Sequence, residues 1–475
     1  MALGGAPPSM TFSAKRMRHL TFPAALALGL SLVLGCGRDA PDGLALVGAT
    51  VIDGSGGPAL PDAVIVVRKG RIESVGTRTE FTLPAKTREV SVAGRWIVPG
   101  FIDSHVHLTD GKAGVLDWTL LRYLAWGVTT VRDAHGGLET VLELRDALNG
   151  GAEPGPRLYA AGAEIDGLPT TYADAIGANR PNDARRGVDR LVNSGTDFVK
   201  VFTRVDPALL TAVLDEAKTF NLRVSGHLGM TDAVTAARAG IASIEHLSGV
   251  PEAALSSASS LYAAHYRSFF AGWTAFERAW AGLDSAGLER VARELARARV
   301  MSVPTLVLHE TFSRLDDPAV LRDSSLGAVP LDAQRSWNVP DMVARAGWTG
   351  DDFAAFRAAR PNQDLFLRRF AAAGGRVAAG TDAANQLLVP GYSLHQEMQL
   401  LVAAGLSPRD ALLAGTRNGA LLLGVDSLGL IAPGKAADLV VLSRDPLADI
   451  RNTLAIEQVM SRGTLLAPDS LRRSW

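Results

Sequence analysis

Two histidines separated by one residue, His105 and His107, have a spacing that points to chemistry. Residues two apart in a β-strand lie on the same side of the sheet, so a strand here puts both imidazoles on one face. Two neutral imidazoles in that arrangement can bind one transition-metal ion. The pair alone is also compatible with ordinary hydrogen-bonded histidines, so its interpretation depends on the rest of the chain.

Further polar residues lie late in apolar segments that are typical of β-strands. They are Lys200 in DFVKVFT, His227 in RVSGHLG, His246 in SIEHLSG and Asp382 in RVAAGTDA. Because the carboxyl ends of parallel strands meet on one face, these side chains converge with the histidine pair in a parallel arrangement. A carboxylate there can bind a metal with one oxygen and take up a proton with the other. Any single histidine could be structural, but four of the nine histidines at strand ends favour a shared metal site.

Between residues 98 and 425, short apolar segments alternate with amphipathic helical patterns such as PALLTAVLDEAKTFN and LERVARELARARV. This alternation predicts an α/β fold, a (β/α)₈ TIM-like barrel, with a doubly wound open sheet as the alternative. The predicted strands are FIDSHVHL, VTTVRDA, RLYAAGAEI, DFVKVFT, RVSGHLG, SIEHLSG, SVPTLVL and RVAAGTDA.

The segments that flank this region have a different pattern. Residues 44–97 and 426–467 consist of short runs rich in valine and isoleucine, separated by turns of glycine, proline and aspartate. We therefore predict one small β-sandwich domain, built from both chain ends, beside the barrel of residues 98–425.

Residues 250–284 and 309–362 are longer than ordinary loops between barrel strands and helices. Both stretches contain aromatic residues, for example Trp273 and Trp348. Insertions at the catalytic face of a barrel can form a lid over the site. An apolar patch that shields the barrel, or that joins two copies as a homo-oligomer, is an equally good interpretation.

Several motifs in chain order resemble the amidohydrolase superfamily. They are VPGFIDSHVHL, VTTVRDAHGG, FVKVFT, SGHLG, SIEHL, AAGTDAAN and the closing segment GTRNGALLLGVDSLGLIAPGKAADLVVLSRDPLADI, and the match as a whole runs in order from about residue 44 to 467. The pattern is most similar to the branch that contains imidazolonepropionase-like hydrolases and metal-dependent dipeptidases that cleave Xaa-Pro, Xaa-Arg or Xaa-Lys bonds. It departs from relatives at SGHLG, where they often have AHAHG, and at His135, where they usually have a small or apolar residue.

The resemblance implies a site with divalent metal and with two ions. Imidazole and carboxylate ligands suit zinc well, and also manganese, cobalt or iron. In dipeptidase-like members, a lysine carboxylated by CO₂ bridges the two metals. If the ligand pattern of these members applies to this chain, one ion is held by His105, His107 and Asp382. The other is held by His227 and His246, and Lys200 lies between the two ions. Imidazolonepropionase itself holds one metal and lacks this lysine, so a one-metal site is the alternative, with Lys200 then paired to an acidic neighbour.

The implied reaction is hydrolysis of a C–N bond in a small amide or dipeptide by metal-activated hydroxide, with Asp382 as general base. The substrate is expected to be a dipeptide or an N-acyl amino acid. His135 and His309 are candidate donors to the oxyanion, or structural residues. Asp103 is a candidate for orienting a ligand, or for a backbone turn. A ring-opening hydrolase of imidazolone- or hydantoin-like cyclic amides and a non-catalytic binding lipoprotein are the alternative functions.

The N-terminal segment has the layout of an export signal. Basic residues (Lys15, Arg16 and Arg18) precede the apolar run LTFPAALALGLSLVLG, which ends at Cys36. VLGC resembles a bacterial lipobox, so we predict a signal peptide over residues 1–35, lipid attachment at Cys36 and a tether over residues 36–43. The predicted protein is exported and bound to a bacterial membrane through its lipid alone. An ordinary signal peptide with an incidental cysteine is the alternative, and translation can start at Met1, Met10 or Met17.

The overall composition is that of a globular protein, with 475 residues, 47% apolar and 20% charged residues. A formal net charge of −1 provides no electrostatic footprint for nucleic acid, which favours a small-molecule substrate. Cys36 is the single cysteine, so the chain has no internal disulfide.

Overall fold

A computed structural model describes residues 43–84, 86–109 and 116–472. The predicted signal peptide, Cys36 and most of the predicted tether lie outside these residues. Within the described part of the chain, no helix is both long and apolar enough to cross a membrane.

The described residues form eighteen strands. They are β1 (Gly43–Val51), β2 (Leu60–Arg68), β3 (Arg71–Thr77), β4 (Thr87–Ser91), β5 (Trp96–Pro99), β6 (Phe101–Val106), β7 (Val128–Asp133), β8 (Arg157–Ala160), β9 (Ile165–Gly167), β10 (Ile176–Ala178), β11 (Val199–Val201), β12 (Val224–Gly226), β13 (Ser243–Glu245), β14 (Met301–Val303), β15 (Arg376–Val377), β16 (Leu439–Leu442), β17 (Ile456–Ser461) and β18 (Thr464–Leu466).

The same residues form seventeen α-helices. They are α1 (Leu116–Ala125), α2 (Leu138–Gly150), α3 (Pro181–Ser194), α4 (Pro207–Thr219), α5 (Ala233–Ala239), α6 (Val250–Ala254), α7 (Ser259–Arg267), α8 (Phe269–Trp280), α9 (Ser285–Arg297), α10 (Leu306–Phe312), α11 (Leu331–Ser336), α12 (Val339–Ala346), α13 (Gly350–Ala372), α14 (Tyr392–Ala403), α15 (Pro408–Ala414), α16 (Arg417–Leu423) and α17 (Pro468–Arg472).

Both ends of the described chain contribute to one eight-stranded sheet, in the order β18-β17-β16-β5-β1-β2-β3 with β4 paired to β1. The joint between the two ends is β16, which pairs antiparallel with β5 on one side and with β17 on the other. The two segments predicted to share a small domain therefore do share a sheet. The sandwich arrangement and the domain boundaries stay predictions.

The middle of the chain is a mixed α/β region with parallel strands, which fits a TIM-barrel-like fold. Strands β6, β7 and β8 form one parallel sheet, and β10-β9-β11-β12-β13-β14-β15 form another. Backbone hydrogen bonds also join the neighbouring edges: Ser104 N donates to Ala379 O, and Asp197 N donates to Ala160 O. Each of the eight predicted segments contains an observed strand, namely β6, β7, β8, β11, β12, β13, β14 and β15. Two predictions were too long: in SVPTLVL the strand ends at Val303 and helix α10 begins at Leu306, and RLYAAGAEI is divided between β8 and β9.

Helices begin where the sequence provides N-terminal caps. Asp206 accepts a hydrogen bond from Leu209 N at the start of α4, and Pro207 occupies its first turn. Asp232 caps α5 in the same way. Such caps satisfy backbone N–H groups that have no partner within the helix. These helices connect β11 to β12 and β12 to β13, so they fix where each strand, and the polar residue at its end, begins.

Candidate metal centre

All six predicted metal-binding side chains line one pocket. His105 lies in β6 and Lys200 in β11, whereas the others follow the carboxyl ends of their strands. The lining residues that carry polar chemistry are His105, His107, His135, Glu164, Lys200, His227, His246 and Asp382. The pocket therefore lies where the strand ends converge.

The potential ligand atoms lie close together. Asp382 Oδ1 is 2.8 Å from His107 Nε2 and 3.3 Å from His105 Nε2. One ligand atom each from His105, His246 and Asp382 lie within 4.8 Å of one another. The His227 ring lies beside the His246 ring, with 4.6 Å between their centroids. Imidazoles and a carboxylate at these separations are a suitable ligand set for a divalent cation.

Two buried atoms test whether a cation fits this set. His105 Nε2 and Asp382 Oδ1 lie 3.3 Å apart, and His107 Nε2 lies 2.8 Å from the same oxygen, yet these contacts do not have the geometry of hydrogen bonds, so neither His105 Nε2 nor Asp382 Oδ1 has a hydrogen-bond partner among the described residues. Buried polar atoms are nearly always satisfied, so a pair left without partners requires another group between or beside them. A bound metal satisfies both, and the residues present fit one.

The far nitrogens of the histidine rings are anchored. His105 Nδ1 lies 2.7 Å from Glu245 Oε2, and His246 Nδ1 lies 2.8 Å from Thr305 Oγ1. His107 Nδ1 lies 3.0 Å from the backbone oxygen of His135. Such partners fix the orientation of a metal-binding imidazole and leave its other nitrogen for the ion.

Glu245 is itself anchored from two sides. Its Oε1 accepts hydrogen bonds from Arg132 Nη2 at 2.6 Å and from Ser243 Oγ at 2.8 Å. Burial opposes the charge of this carboxylate, but Arg132 and His105 hold the pKa of Glu245 below its usual range. An ionised carboxylate therefore lies behind His105.

The backbone at the pocket has unusual conformations. His246 and Asp382 have φ angles of 58° and 63°, a left-handed region that costs energy for residues with a Cβ. Asp103 supports the second of these turns, because its carboxylate accepts hydrogen bonds from Thr381 N at 3.1 Å and Thr381 Oγ1 at 2.7 Å. Asp103 therefore holds the residue before Asp382 in place.

Burial also sets the protonation of the side chains. It lowers the pKa of His105, and it lowers the pKa values of His227 and His246 well below their usual range, so these imidazoles are neutral, as metal ligands must be. Burial opposes the charge of Asp382 too, but His246, His105 and His107 around it hold its pKa well below the ordinary value. The pocket combines neutral imidazoles with an ionised carboxylate.

Lys200 is 1% exposed, and burial lowers the pKa of its amine. No carboxylate of the described residues lies at ion-pairing distance from Lys200 Nζ. The alternative of a lysine paired with an acidic neighbour is therefore not what the described part of the chain shows. The uncharged amine is the form that reacts with CO₂, and burial of Lys200 favours that form.

The two candidate oxyanion donors occupy different environments. His135 lines the pocket, stacks on Tyr172 and has its Nε2 3.4 Å from Asp174 Oδ1. His309 does not line it, and its ring nitrogens face Glu277 Oε1 and the backbone oxygen of His246, the latter at 3.2 Å. His135 is thus placed to meet a substrate, whereas His309 supports the turn that carries His246. The catalytic assignment of both stays a prediction.

Several residues that shape the site were not predicted from the sequence. Glu245, Arg132 and Thr305 orient metal-binding candidates, and Glu164 lines the pocket. A charged residue within an otherwise apolar strand, as in SIEHL and VTTVRDA, was the available signal. Such residues are rarely buried without a partner, so each marks an interior contact.

The two insertions form an apolar wall on the pocket. Phe270 of α8 packs on Trp348, which precedes α13, with 5.9 Å between ring centroids. Both insertions and the segment after Asp382 share one apolar cluster. The wall residues that line the pocket are Phe269, Phe270, Trp273, Phe312 and Met342 of the insertions and Leu308, which directly precedes the second insertion.

Comparisons with known proteins bear on the fold and the family. The profile of the amidohydrolase family matches residues 96–466. The imidazolonepropionase of Cereibacter sphaeroides is 25% identical over 85% of this chain and 93% of its own length. A crystal structure from Bifidobacterium longum, provisionally named a prolidase, is 25% identical, covers 92% of this chain and 99% of its own, and has a TM-score of 0.67. The structure of a Xaa-Pro dipeptidase with bound methionine has the same fold, with a TM-score of 0.65 at 19% identity over 90% of this chain and 100% of its own. The chain belongs to the amidohydrolase family.

Proposed function

We propose that this protein is a metal-dependent hydrolase of C–N bonds in small amides, with dipeptides or N-acyl amino acids as substrates. The observation that carries the proposal is the pocket itself, in which several imidazoles converge on the carboxylate of Asp382, whose Oδ1 lies 2.8 Å from His107 Nε2 and 3.3 Å from His105 Nε2. Family membership and the similarity to a structure provisionally named a prolidase support amide hydrolysis.

The ligand set that we propose contains six side chains. A bound divalent cation, zinc first, supplies Lewis-acid polarisation of the substrate carbonyl and activation of water. Two ions, with a carboxylated Lys200 between them, agree with the burial of this amine and with its lack of a carboxylate partner in the described residues. The proposed ligands are His105, His107, Lys200, His227, His246 and Asp382.

The chain's own residues perform the remaining steps. Asp382 takes a proton from the attacking water and passes it to the leaving nitrogen, a role that its position in the pocket beside His105 and His107 allows. Glu245 fixes the orientation of the His105 ring, and Thr305 fixes that of the His246 ring. The apolar wall excludes bulk water, which strengthens electrostatic interactions within the site.

The architecture and location that accompany this function are also proposals. A closed (β/α)₈ barrel is supported by backbone hydrogen bonds between residues 379–382 and β6, in addition to the parallel sheets. Export and lipid attachment at Cys36 are supported by the sequence of residues 1–36 alone. Mass spectrometry of the mature N-terminus, with and without Cys36→Ser, measures the lipid directly.

The test is turnover of the metal-loaded protein on pooled dipeptides, N-acyl amino acids and cyclic amides, with chelator-treated protein as the control. Release of amino acids from the first two pools supports the proposal. Turnover confined to cyclic amides supports the ring-opening alternative, which the imidazolonepropionase relative favours. Absence of turnover in all three pools would leave the non-catalytic binding lipoprotein.

Metal analysis distinguishes two ions from one. Lys200→Ala is expected to lower the metal content from about two equivalents to one or fewer while the fold survives, because a bridging ligand is lost. Lys218→Ala, at an exposed lysine of α4, is the matched control. Equal metal content in wild type and Lys200→Ala would rule out the bridging carbamate.

A further inference from the structure

Glu164 is a carboxylate of the pocket that neither the ligand set nor the proton transfer uses. It lines the pocket, is 1% exposed, and its Oε1 has no hydrogen-bond partner among the described residues. Its other oxygen, Oε2, lies 3.9 Å from His135 Nδ1, beyond hydrogen-bond distance. One face of this carboxylate therefore lacks a partner.

The backbone holds this side chain in place. Glu164 O accepts a hydrogen bond from Ile176 N at 2.8 Å, and Glu164 N lies 3.4 Å from His135 Nδ1. Both backbone groups are thus used locally, next to β9 and β10. The open oxygen is fixed in the pocket rather than swinging on a loose loop.

A buried carboxylate without a partner is costly, and a cationic hydrogen-bond donor offsets that cost best. The described lining residues include no arginine, and Lys200, their single lysine, is not at ion-pairing distance from any carboxylate of the described residues. The described residues place one cationic candidate beside Glu164, and this candidate, His135, has its Nδ1 3.9 Å from Oε2 and not at Oε1. Burial raises the pKa of Glu164 to about 8, and a cationic donor at Oε1 would favour the ionised carboxylate. A substrate can bring that donor.

The apolar wall sets a second requirement for the substrate, a bulky apolar group. Five apolar side chains of the two insertions, together with Leu308 directly before the second insertion, line the same pocket as Glu164. A substrate that fills this space carries a cationic donor and a bulky apolar group together. An aminoacyl group with a free ammonium and an aromatic or large aliphatic side chain has both.

We propose that Glu164 binds the free ammonium group of an apolar aminoacyl substrate, which selects unblocked dipeptides over N-acylated amino acids. This inference rests on the proposed amide hydrolysis and narrows its substrate class. Glu164 acts in specificity, through a hydrogen bond from the substrate ammonium to Oε1.

Three matched substrates test the assignment on the metal-loaded enzyme: a phenylalanyl dipeptide, its 3-phenylpropionyl analogue without the amino group, and its N-acetyl derivative. Wild type is expected to cleave the free dipeptide best. Glu164→Gln is expected to lower kcat/KM for that dipeptide about 10- to 100-fold, the range for loss of a charge-assisted hydrogen bond. The same variant should change kcat/KM for the 3-phenylpropionyl analogue by less than about threefold.

A control variant and a binding measurement show whether the effect is specific to Glu164. Glu139→Gln, at an exposed glutamate of α2, removes the same charge away from the pocket and should leave all three substrates unchanged. Calorimetry measures the Kd values of 2-phenylethylamine and 3-phenylpropanol, and their ratio reports on Glu164 without turnover. The preference for the amine, expressed as this ratio, should be at least tenfold larger in wild type than in Glu164→Gln.

The outcomes separate the two proposals. Equal losses on all three substrates would make Glu164 a structural residue, and equal wild-type turnover of the free and N-acetylated dipeptides would overturn ammonium recognition. If wild type cleaves none of the substrates, the proposed hydrolysis fails, and the amine-binding comparison still decides the role of Glu164.

Discussion

Glu245 illustrates how one buried carboxylate controls a metal-binding histidine from behind. It faces His105 Nδ1 with one oxygen and binds Arg132 with the other, and all three side chains are at most 3% exposed. The charge of Arg132 keeps Glu245 ionised, and the ionised carboxylate fixes the imidazole. The orientation of His105 therefore depends on Arg132, which acts through Glu245.

Glu245→Gln is expected to weaken metal binding about 10- to 100-fold, because the neutral amide holds His105 less firmly. It should also lower the free energy of unfolding by about 3–5 kcal/mol, since Arg132 is left as a buried charge without its counter-charge. Metal titration and thermal unfolding measure the two effects. Glu397→Gln, at a buried glutamate that binds Val307 N, is the control and should keep wild-type metal affinity.

Asp382→Asn separates metal binding from proton transfer. The amide oxygen can still bind a metal, but it cannot take a proton, so kcat should fall about 100-fold or more while much of the metal stays bound. Metal analysis beside turnover checks this. Asp426→Asn, at an exposed aspartate that pairs with Lys435, should behave like wild type. Retention of more than about a tenth of wild-type kcat would contradict the role of Asp382.

Among the elements, strands with polar residues at their ends were predictable because alternation and apolar runs are local properties of the sequence. RLYAAGAEI was predicted as one strand, but Gly162 adopts φ 72° and separates β8 from β9. The three-residue strand β10 has no apolar run to mark it. The contact between His105 and Glu245 joins residues 140 positions apart, and only the packing of strands brings them together.

Helix α8 of the first insertion packs on the second insertion and contributes to the apolar wall. Phe270→Ala removes the ring that packs on Trp348 and lines the pocket, so we expect KM to rise about tenfold with a smaller change in kcat, and stability to fall by about 1–3 kcal/mol. Tyr266→Ala, on the neighbouring helix α7 with 61% exposure, is the control. A wild-type KM for Phe270→Ala would show that the wall does not contact substrate.

At the scale of the whole molecule, all described residues belong to one compact unit, and β16 explains why. Its LVVL sequence is apolar throughout because both faces are buried. Leu439 and Val441 pack in the core of the eight-stranded sheet, whereas Val440 and Leu442 pack in the large core that includes the parallel strands. A single four-residue strand therefore belongs to two cores at once.

This sharing predicts one cooperative unfolding transition for the sheet and the α/β region. Val440→Ala and Val441→Ala remove the same methyl groups from opposite faces of β16, and each should cost about 1–3 kcal/mol and lower the single Tm by roughly 2–5 °C. Calorimetric scans of wild type and both variants measure this, with Leu331→Ala, at a side chain that is 67% exposed, as the control that should leave Tm unchanged. Two resolved transitions, with Val440→Ala shifting only one of them and Val441→Ala only the other, would show instead that the sheet and the α/β region unfold independently despite their common strand.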